Sequence, residues 1–167
     1  ALSEQVVRDI IISGFQSAGQ RCSALRLLLL QEDIAEHTLE MLRGAMDTLN
    51  VGDPADPSTD IGPVIDQESY DKLMAYRAEV KDRIVHEIDV PAKGLFVPPS
   101  VIRLDDLDDL NREWFGPLVH VATWKAGELE ATVARVNAKD FGLTMGLHSR
   151  IAGSSALVEN LARVGNL

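Results

Sequence analysis

Apolar and polar residues alternate with two different periods along the chain, and the longer period predicts five helices. In the first, apolar residues from Val6 to Ile11 recur every three or four positions, with charged residues on the opposite side, and the helix should end between Gly14 and Gly19. Four further helices are predicted over residues 34–49, 67–80, 128–137 and 152–164. Asp33 is the expected N-cap of the second helix.

Short apolar or alternating runs lie between these helices and predict strands. Residues 24–31 (ALRLLLLQ) form an apolar run typical of a strand buried on both faces, and residues 118–124 (LVHVATW) predict a second strand. Further strands are predicted within residues 82–90, 94–104 and 143–149. Strands that alternate with helices of about ten or more residues indicate an α/β fold with a mainly parallel sheet.

The connecting segments give no reason to divide the chain. Residues 50–63 are dense in Gly, Pro and Asp and predict a long ordered loop. The sequence contains no internal repeat and no long linker, and its 167 residues are enough for one hydrophobic core. We therefore expect residues 1–167 to form a single domain. The helical start and the final RVGNL, which looks like the start of a strand, suggest a piece of a longer protein.

Composition and charge narrow the possible partners. The formal net charge is −10, which argues against nucleic acid as a partner, because that interaction depends on clustered Lys and Arg. No stretch approaches the ~20 apolar residues of a membrane span. The single cysteine fits a reducing compartment, and a cytoplasmic location is expected. The four histidines are scattered without ligand spacing, so no metal site is predicted.

The candidate nucleophile is Cys22, in the segment SAGQRCSALR. It follows Gly19 at a predicted helix-to-strand turn, where a tightly folded backbone can expose a sulfur and supply an N–H to an oxyanion. Arg21 is placed to hold a thiolate. The alternative is a buried thiol that acts as a small apolar side chain, since free cysteine is among the most buried residue types. From the residues alone the buried thiol is the favoured interpretation.

The segment REWFGP (residues 112–117) is the second candidate. It places a carboxylate, two aromatic rings, Gly and Pro directly before a predicted strand, and ligands in α/β proteins gather where loops meet strand ends. The alternative is a packed turn in which Trp114 and Phe115 fill the core. From the residues alone the packed turn is the favoured interpretation. No glycine pattern of the dinucleotide-binding type follows any predicted strand.

Four segments, in order and across nearly the whole chain, resemble the aldehyde dehydrogenase superfamily. GFQSAGQRCSA (14–24) is similar to the catalytic-cysteine segment and VGDPADPSTDIGPVI (51–65) to the G-D-P…D-x-G-P loop. EWFGPLVHV (113–121) resembles the E-(I/V)-F-G-P-V segment, and VNAKDFGLTMGLHSRI (136–151) resembles the N-x-x-x-(Y/F)-G-L stretch. The resemblance implies the catalytic domain of that superfamily, a three-layer α/β/α fold.

The resemblance also implies roles for individual residues. Cys22 would be the nucleophile that attacks the aldehyde, with its backbone N–H as an oxyanion donor. Glu113 would bind the nicotinamide ribose of NAD⁺, and Phe115 would lie beside the nicotinamide. Ser23 would lie near a substrate carboxylate. Trp114 departs from the Ile or Val usual between Glu and Phe in the family.

Within the superfamily, residues 19–33, 96–104, 142–151 and 164–167 are most similar to the pyrroline-5-carboxylate (L-glutamate γ-semialdehyde) dehydrogenases, including the dehydrogenase half of proline utilization A. The resemblance implies a homo-oligomeric parent enzyme of proline catabolism. It places the NAD-binding domain, the general-base glutamate and the second oxyanion donor upstream of this chain, and the loop that grips the substrate carboxylate downstream. The chain alone is therefore expected to lack turnover and NAD⁺ binding. The alternatives are another semialdehyde dehydrogenase and a non-catalytic structural module.

Overall fold

Helices and strands alternate along residues 2–167, which the computed structural model describes. The helices in this range are α1 (Ser3–Gly14), α2 (Glu32–Met46), α3 (Gln67–Glu79), α4 (Leu129–Asn137) and α5 (Ala152–Leu161). The strands are β1 (Leu27–Gln31), β2 (Ile84–Glu87), β3 (Ser100–Arg103) and β4 (Leu118–Trp124). Short 3₁₀ helices cover Gln16–Gly19, Lys81–Arg83 and Leu107–Asp109. No helix in this range combines the length and the hydrophobicity that crossing a membrane requires.

The four strands form one sheet in the order β1-β4-β3-β2. β4 pairs in parallel with β1 and with β3, and β2 pairs antiparallel with β3 at the far edge. Leu28 of β1 and Arg103 of β3 both pair with Val121 of β4. The prediction of an α/β fold with a mainly parallel sheet is therefore confirmed.

Helices cover both faces of this sheet. Gly14 of α1 lies so close to β4 that a Cβ on it would be 2.5 Å from a methyl group of Val119. On β4, Val119 and the next residue, His120, point to opposite faces, because side chains alternate along a strand. The His120 ring is 2.9 Å from the hydroxyl of Tyr76 on α3. The sheet is thus sandwiched between α1 and α3, as the three-layer expectation requires.

β1 differs from its prediction. The run 24–31 is predicted to be buried on both faces, but in β1 only Leu28 and Leu30 are buried, while Leu27 and Leu29 are partly exposed. β1 is the edge strand of the sheet, and its alternating burial shows that one of its faces is covered less completely than the other. Full burial occurs instead in β4, the neighbour of β1, where residues 118–122 are all buried.

The boundaries of α2 and α5 also differ from their predictions. The N-cap of α2 is Gln31, which makes no side-chain capping bond, so the prediction of Asp33 as N-cap is wrong. Asp33 lies instead in the first helical turn, where a carboxylate interacts favourably with the helix dipole. α2 ends at Met46 rather than at Leu49, and α5 ends at Leu161 rather than at Val164.

Residues 143–149 do not form the predicted strand. They make a single parallel bridge, between Thr144 and Asn166, and Leu143 is 53% exposed. A strand needs a partner along its length, and within residues 2–167 the segment 143–149 pairs only at this one bridge. The candidates 82–90 and 94–104 shorten to β2 and β3, since the prolines at 91, 98 and 99 lack the N–H that a ladder requires.

Candidate active site

Cys22 lies on a tightly folded segment, residues 17–24, which we call the cysteine turn. Ser17, Ala18 and Gly19 have φ values of 55°, 50° and 63°, so three consecutive residues are left-handed. For Ser and Ala this conformation is strained and persists only where the surroundings hold it. The Ala24 N–H then donates to the Arg21 carbonyl at 3.0 Å, which closes a turn with Cys22 and Ser23 at its centre.

This turn presents the side chains of Cys22 and Ser23 to solvent. The alternative of a buried thiol is therefore wrong, and the reason is the backbone reversal that precedes the cysteine. Within residues 2–167 the Cys22 N–H makes no hydrogen bond, so it is free to donate to a ligand. The same part of the chain holds no group of three or more His, Cys, Asp or Glu arranged to bind a metal ion.

The cysteine turn packs against the EWFGP segment at two glycines. A Cβ on Gly19 would lie 2.6 Å from the carbonyl carbon of Gly116, so the two backbones are in direct contact. Glycine is therefore required at position 19 for two reasons: its φ is positive, and the Gly116 backbone leaves no room for a side chain. This contact brings the first and third of the four segments together.

Gln20 links the same turn to the second segment. Its side-chain oxygen accepts a hydrogen bond from the Ile65 N–H at 2.8 Å, across 45 positions of sequence. Its side-chain nitrogen donates to the Ser17 carbonyl within the turn. The loop 50–63, predicted as ordered, is itself held by Asp60, which accepts a hydrogen bond from the Asn50 N–H. Gln20 therefore fixes the turn to a rigid neighbour.

Arg26, at the start of β1, supplies the charge behind the cysteine turn. Its guanidinium donates to the Gly19 carbonyl at 2.8 Å and to the Arg21 carbonyl at 2.9 Å. It also lies 4.4 Å from the centroid of the Phe115 ring. Burial lowers the pKa of Arg26, and the negative charges of Glu113 and Cys22 oppose that shift. Arginine stays charged in proteins, so a cation lies within electrostatic reach of both candidate residues.

Arg21 does not have the role expected of it. Its guanidinium donates to the Ile12 carbonyl at 2.6 Å, in the last turn of α1. There it satisfies one of the carbonyls that a helix end leaves without a partner. The cation that attracts negative charge on Cys22 is Arg26 instead.

The EWFGP segment splits into a buried residue and its exposed neighbours. Trp114 is buried and stacks on Tyr76 of α3, with the ring centroids 3.8 Å apart and the planes 14° apart. Phe115 is 44% exposed, and Glu113 is also exposed. The packed-turn interpretation is thus correct for Trp114 and wrong for Phe115. Glu113 and Phe115 remain free to contact a ligand.

A buried histidine connects α3 to Arg26, the residue before β1. His120 is 0% exposed, and its Nδ1 lies 3.0 Å from the Arg26 carbonyl. A carbonyl can only accept, so Nδ1 carries the proton and Nε2 accepts from the Tyr76 hydroxyl at 2.9 Å. Burial lowers the pKa of His120 to about 4, which keeps the ring neutral. His120 is a structural link in this chain rather than a proton donor at the site.

The fourth segment, residues 136–151, is held by α1 and the end of α5. His148 lies 3.5 Å from Asp9 of α1, and the Asn137 side chain donates to the Leu161 carbonyl. The structure therefore brings the first, second and third segments together at the cysteine turn.

The sequence-based search missed Arg26, Tyr76 and His120. Two of them carried a usable signal, because Arg26 and His120 each interrupt an apolar run that predicts a strand. A buried polar side chain must find a partner: the His120 ring donates to the Arg26 carbonyl, and the Arg26 guanidinium donates to two carbonyls of the cysteine turn. Tyr76 had no comparable signal, since its helix is largely polar.

Comparison with known proteins shows the family. The model of the aldehyde dehydrogenase family matches residues 2–167. The chain is 48% identical to the bifunctional protein PutA of Klebsiella aerogenes, over 100% of the chain and 14% of that protein. It is 34% identical to the 1-pyrroline-5-carboxylate dehydrogenase of Geobacillus kaustophilus, over 98% of the chain and 32% of that protein.

A solved structure agrees with these relatives. A mutant of proline utilization A (PutA) from Bradyrhizobium japonicum superposes with a TM-score of 0.96 at 43% identity, over 99% of this chain and 17% of that one. The chain thus spans 14% to 32% of the length of the relatives named here. On the family match and on this shared fold, the chain belongs to the aldehyde dehydrogenase family.

Proposed function

We propose that this chain is the nucleophile-bearing part of an NAD⁺-dependent L-glutamate γ-semialdehyde (1-pyrroline-5-carboxylate) dehydrogenase of proline catabolism. The observation that carries the proposal is the meeting of three separate segments at an exposed cysteine. The choice of aldehyde rests on the similarity to PutA and to a 1-pyrroline-5-carboxylate dehydrogenase. The parent enzyme in this proposal is a cytoplasmic homo-oligomer.

In the proposed reaction Cys22 acts as a thiolate. Its Sγ attacks the aldehyde carbon, and the carbonyl oxygen becomes the oxyanion of a thiohemiacetal. In this proposal the free Cys22 N–H donates to that oxyanion, and the exposed Ser23 hydroxyl beside it binds the substrate carboxylate. Loss of hydride leaves a thioester on Cys22. Water cleaves the thioester to release the carboxylic acid and return the thiolate.

The residues around Cys22 suit a nicotinamide cofactor, which would accept that hydride. Phe115 offers an exposed ring to a flat heterocycle, and the exposed Glu113 carboxylate can accept hydrogen bonds from ribose hydroxyls. Arg26 holds the Phe115 ring from within the protein. These contacts serve one end of a dinucleotide, and the chain carries no glycine-rich motif for its phosphates. We therefore propose that this chain alone does not bind NAD⁺ or turn over.

The test of the proposal uses the thiol directly, because Cys22 is the single cysteine of the chain. The rate of alkylation by iodoacetamide at pH 7 is measured for the folded chain and for the same chain unfolded in urea. The folded chain should react several-fold faster, since the nucleophile is the thiolate and the Arg26 guanidinium binds the carbonyl of Arg21, the residue before Cys22. A folded chain that reacts no faster contradicts a catalytic role and favours the non-catalytic module.

The prediction of inactivity is checked separately. NADH formation from glutamate γ-semialdehyde and NAD⁺ is followed by absorbance, with Cys22→Ala as the control. Equal, background rates are expected for the two chains. Turnover well above that of Cys22→Ala would show that this chain is sufficient for the reaction.

A further inference from the structure

We propose that Arg26 is a positioning residue, which locks the cysteine turn and the Phe115 ring in one fixed arrangement. The proposal rests on the proposed function, because it concerns how Cys22 is held for attack. The juxtaposition that carries it is a single guanidinium in contact with two carbonyls of the turn and with one aromatic ring.

The two carbonyls that Arg26 binds flank Gln20, at the point where the chain leaves the left-handed residues. Gly19 is bound at 2.8 Å and Arg21 at 2.9 Å, each by a different terminal nitrogen of the guanidinium. A planar fork can hold two separate acceptors in a fixed direction, whereas a lysine ammonium is a point charge on a flexible stem. The geometry therefore calls for arginine in particular and not merely for a cation.

Arg26 can serve as a fixed point because its own backbone is held from β4. Its carbonyl accepts from the His120 N–H at 2.9 Å and lies 3.0 Å from His120 Nδ1. His120 is held in turn by Tyr76, which stacks on Trp114. Phe115 follows Trp114 directly, so the cysteine turn and the EWFGP segment are connected through the interior. Arg26 is the side chain that touches both segments.

One atom of Arg26 remains without a partner. Its Nε is buried and makes no hydrogen bond within residues 2–167, while Arg26 as a whole is only 9% exposed. A buried donor without a partner destabilises the fold, so the two bonds that the terminal nitrogens make to the turn must offset that loss. The charge has a use at this place, because negative charge on Cys22 and on Glu113 is attracted to it.

The experiment compares the full chain with Arg26→Lys and Arg26→Met, and uses Arg21→Met as the matched control. Arg21 lies in the same turn, but its guanidinium binds the end of α1. Two properties are measured: the alkylation rate of Cys22 at pH 6 to 9, and the hydrogen exchange of the Gln20 and Ala24 amides, which close the turn. The second readout does not depend on the thiol being reactive.

In Arg26→Lys, hydrogen exchange of the Gln20 and Ala24 amides should be at least about tenfold faster, while exchange of the β4 amides stays unchanged. The alkylation rate of Cys22 should fall toward that of the unfolded chain. Arg21→Met should leave both properties as in the wild type. If Arg26→Met does not fold, the lysine variant alone decides. Wild-type exchange and alkylation in Arg26→Lys would overturn the positioning role, because any cation would then suffice. An unreactive wild-type thiol would instead overturn the proposed function, whatever the exchange data show.

Discussion

Acidification from pH 7 towards pH 4 should destabilise this fold through one buried histidine. Burial lowers the pKa of His120 to about 4, and the nearby positive charge of Arg26 acts in the same direction. The hydrogen bond to the Arg26 carbonyl opposes the shift without cancelling it. In the unfolded chain the same ring takes its ordinary pKa of about 6.5. Between these two values the unfolded state binds a proton that the folded state excludes.

The direction and size of the effect follow from that difference. A state that binds more protons gains stability as the pH falls, so the free energy of unfolding decreases below pH 6.5. One pKa unit corresponds to about 1.4 kcal/mol, so His120 removes about 2 kcal/mol by pH 5 and about 3 kcal/mol by pH 4. Domains are typically stable by about 5–15 kcal/mol, so the loss is a large part of the whole.

Urea unfolding followed by tryptophan fluorescence, from pH 7.5 to pH 5, measures this loss. The comparison is between the wild type, His120→Gln and His37→Gln, since His37 lies exposed on α2. The wild type and His37→Gln should lose about 2 kcal/mol over this range, and His120→Gln should lose much less, whatever its starting stability. The exposed carboxyls with lowered pKa, Asp56, Asp66 and Asp108, contribute only at lower pH.

NMR of the histidine ring protons in the folded wild type provides a check that needs no variant. The His120 resonance should stay at its neutral position down to about pH 5. A ring that titrates near pH 6.5 in the folded chain would refute the reasoning, and so would a free energy of unfolding that does not change between pH 7.5 and pH 5.

Two substitutions, each with a matched control, test other parts of the site. Gly19→Ala should destabilise the chain by about 2 kcal/mol or more, since it adds a Cβ at positive φ against a backbone carbonyl. Gly153→Ala, where a Cβ meets nothing, should be neutral or stabilising by up to about 1 kcal/mol in thermal unfolding. Tyr76→Phe should cost about 1–2 kcal/mol because it leaves Nε2 of His120 buried without a partner, whereas Tyr70→Phe on the same helix should cost less in the same assay.

The α/β class and the strand β4 could be predicted from the sequence because they depend on local patterns. β4 is apolar apart from His120 and Thr123, and its bounds, Leu118–Trp124, agree with the prediction. The edge position of β1 could not be predicted in the same way. A run of four leucines indicates a strand, but the number of neighbours it has is decided by the rest of the sheet. The missing strand at 143–149 has the same cause.

The site was predictable only in part, for a related reason. The exposure of Cys22 follows from the Gly19 turn, which a local pattern can indicate. The Gly19–Gly116 contact and the hydrogen bond between Gln20 and Ile65 join residues far apart in sequence, and no spacing rule gives them. Only the resemblance to the family linked those segments in advance. Arg26 was hidden because a strand pattern treats a single charge as an interruption.

The departure at Trp114 from the Ile or Val usual in the family can now be given a physical account. Trp114 is turned into the protein, where its ring stacks on Tyr76, and its neighbours Glu113 and Phe115 are exposed. A change of size at position 114 is therefore absorbed by the interior, through the contact with α3, and the surface offered to a ligand keeps its carboxylate and its ring. The Trp114 ring also stacks on the ring of Tyr76, whose hydroxyl donates to His120. An unusual residue in this motif thus changes the packing behind the candidate site and leaves Glu113 and Phe115 exposed.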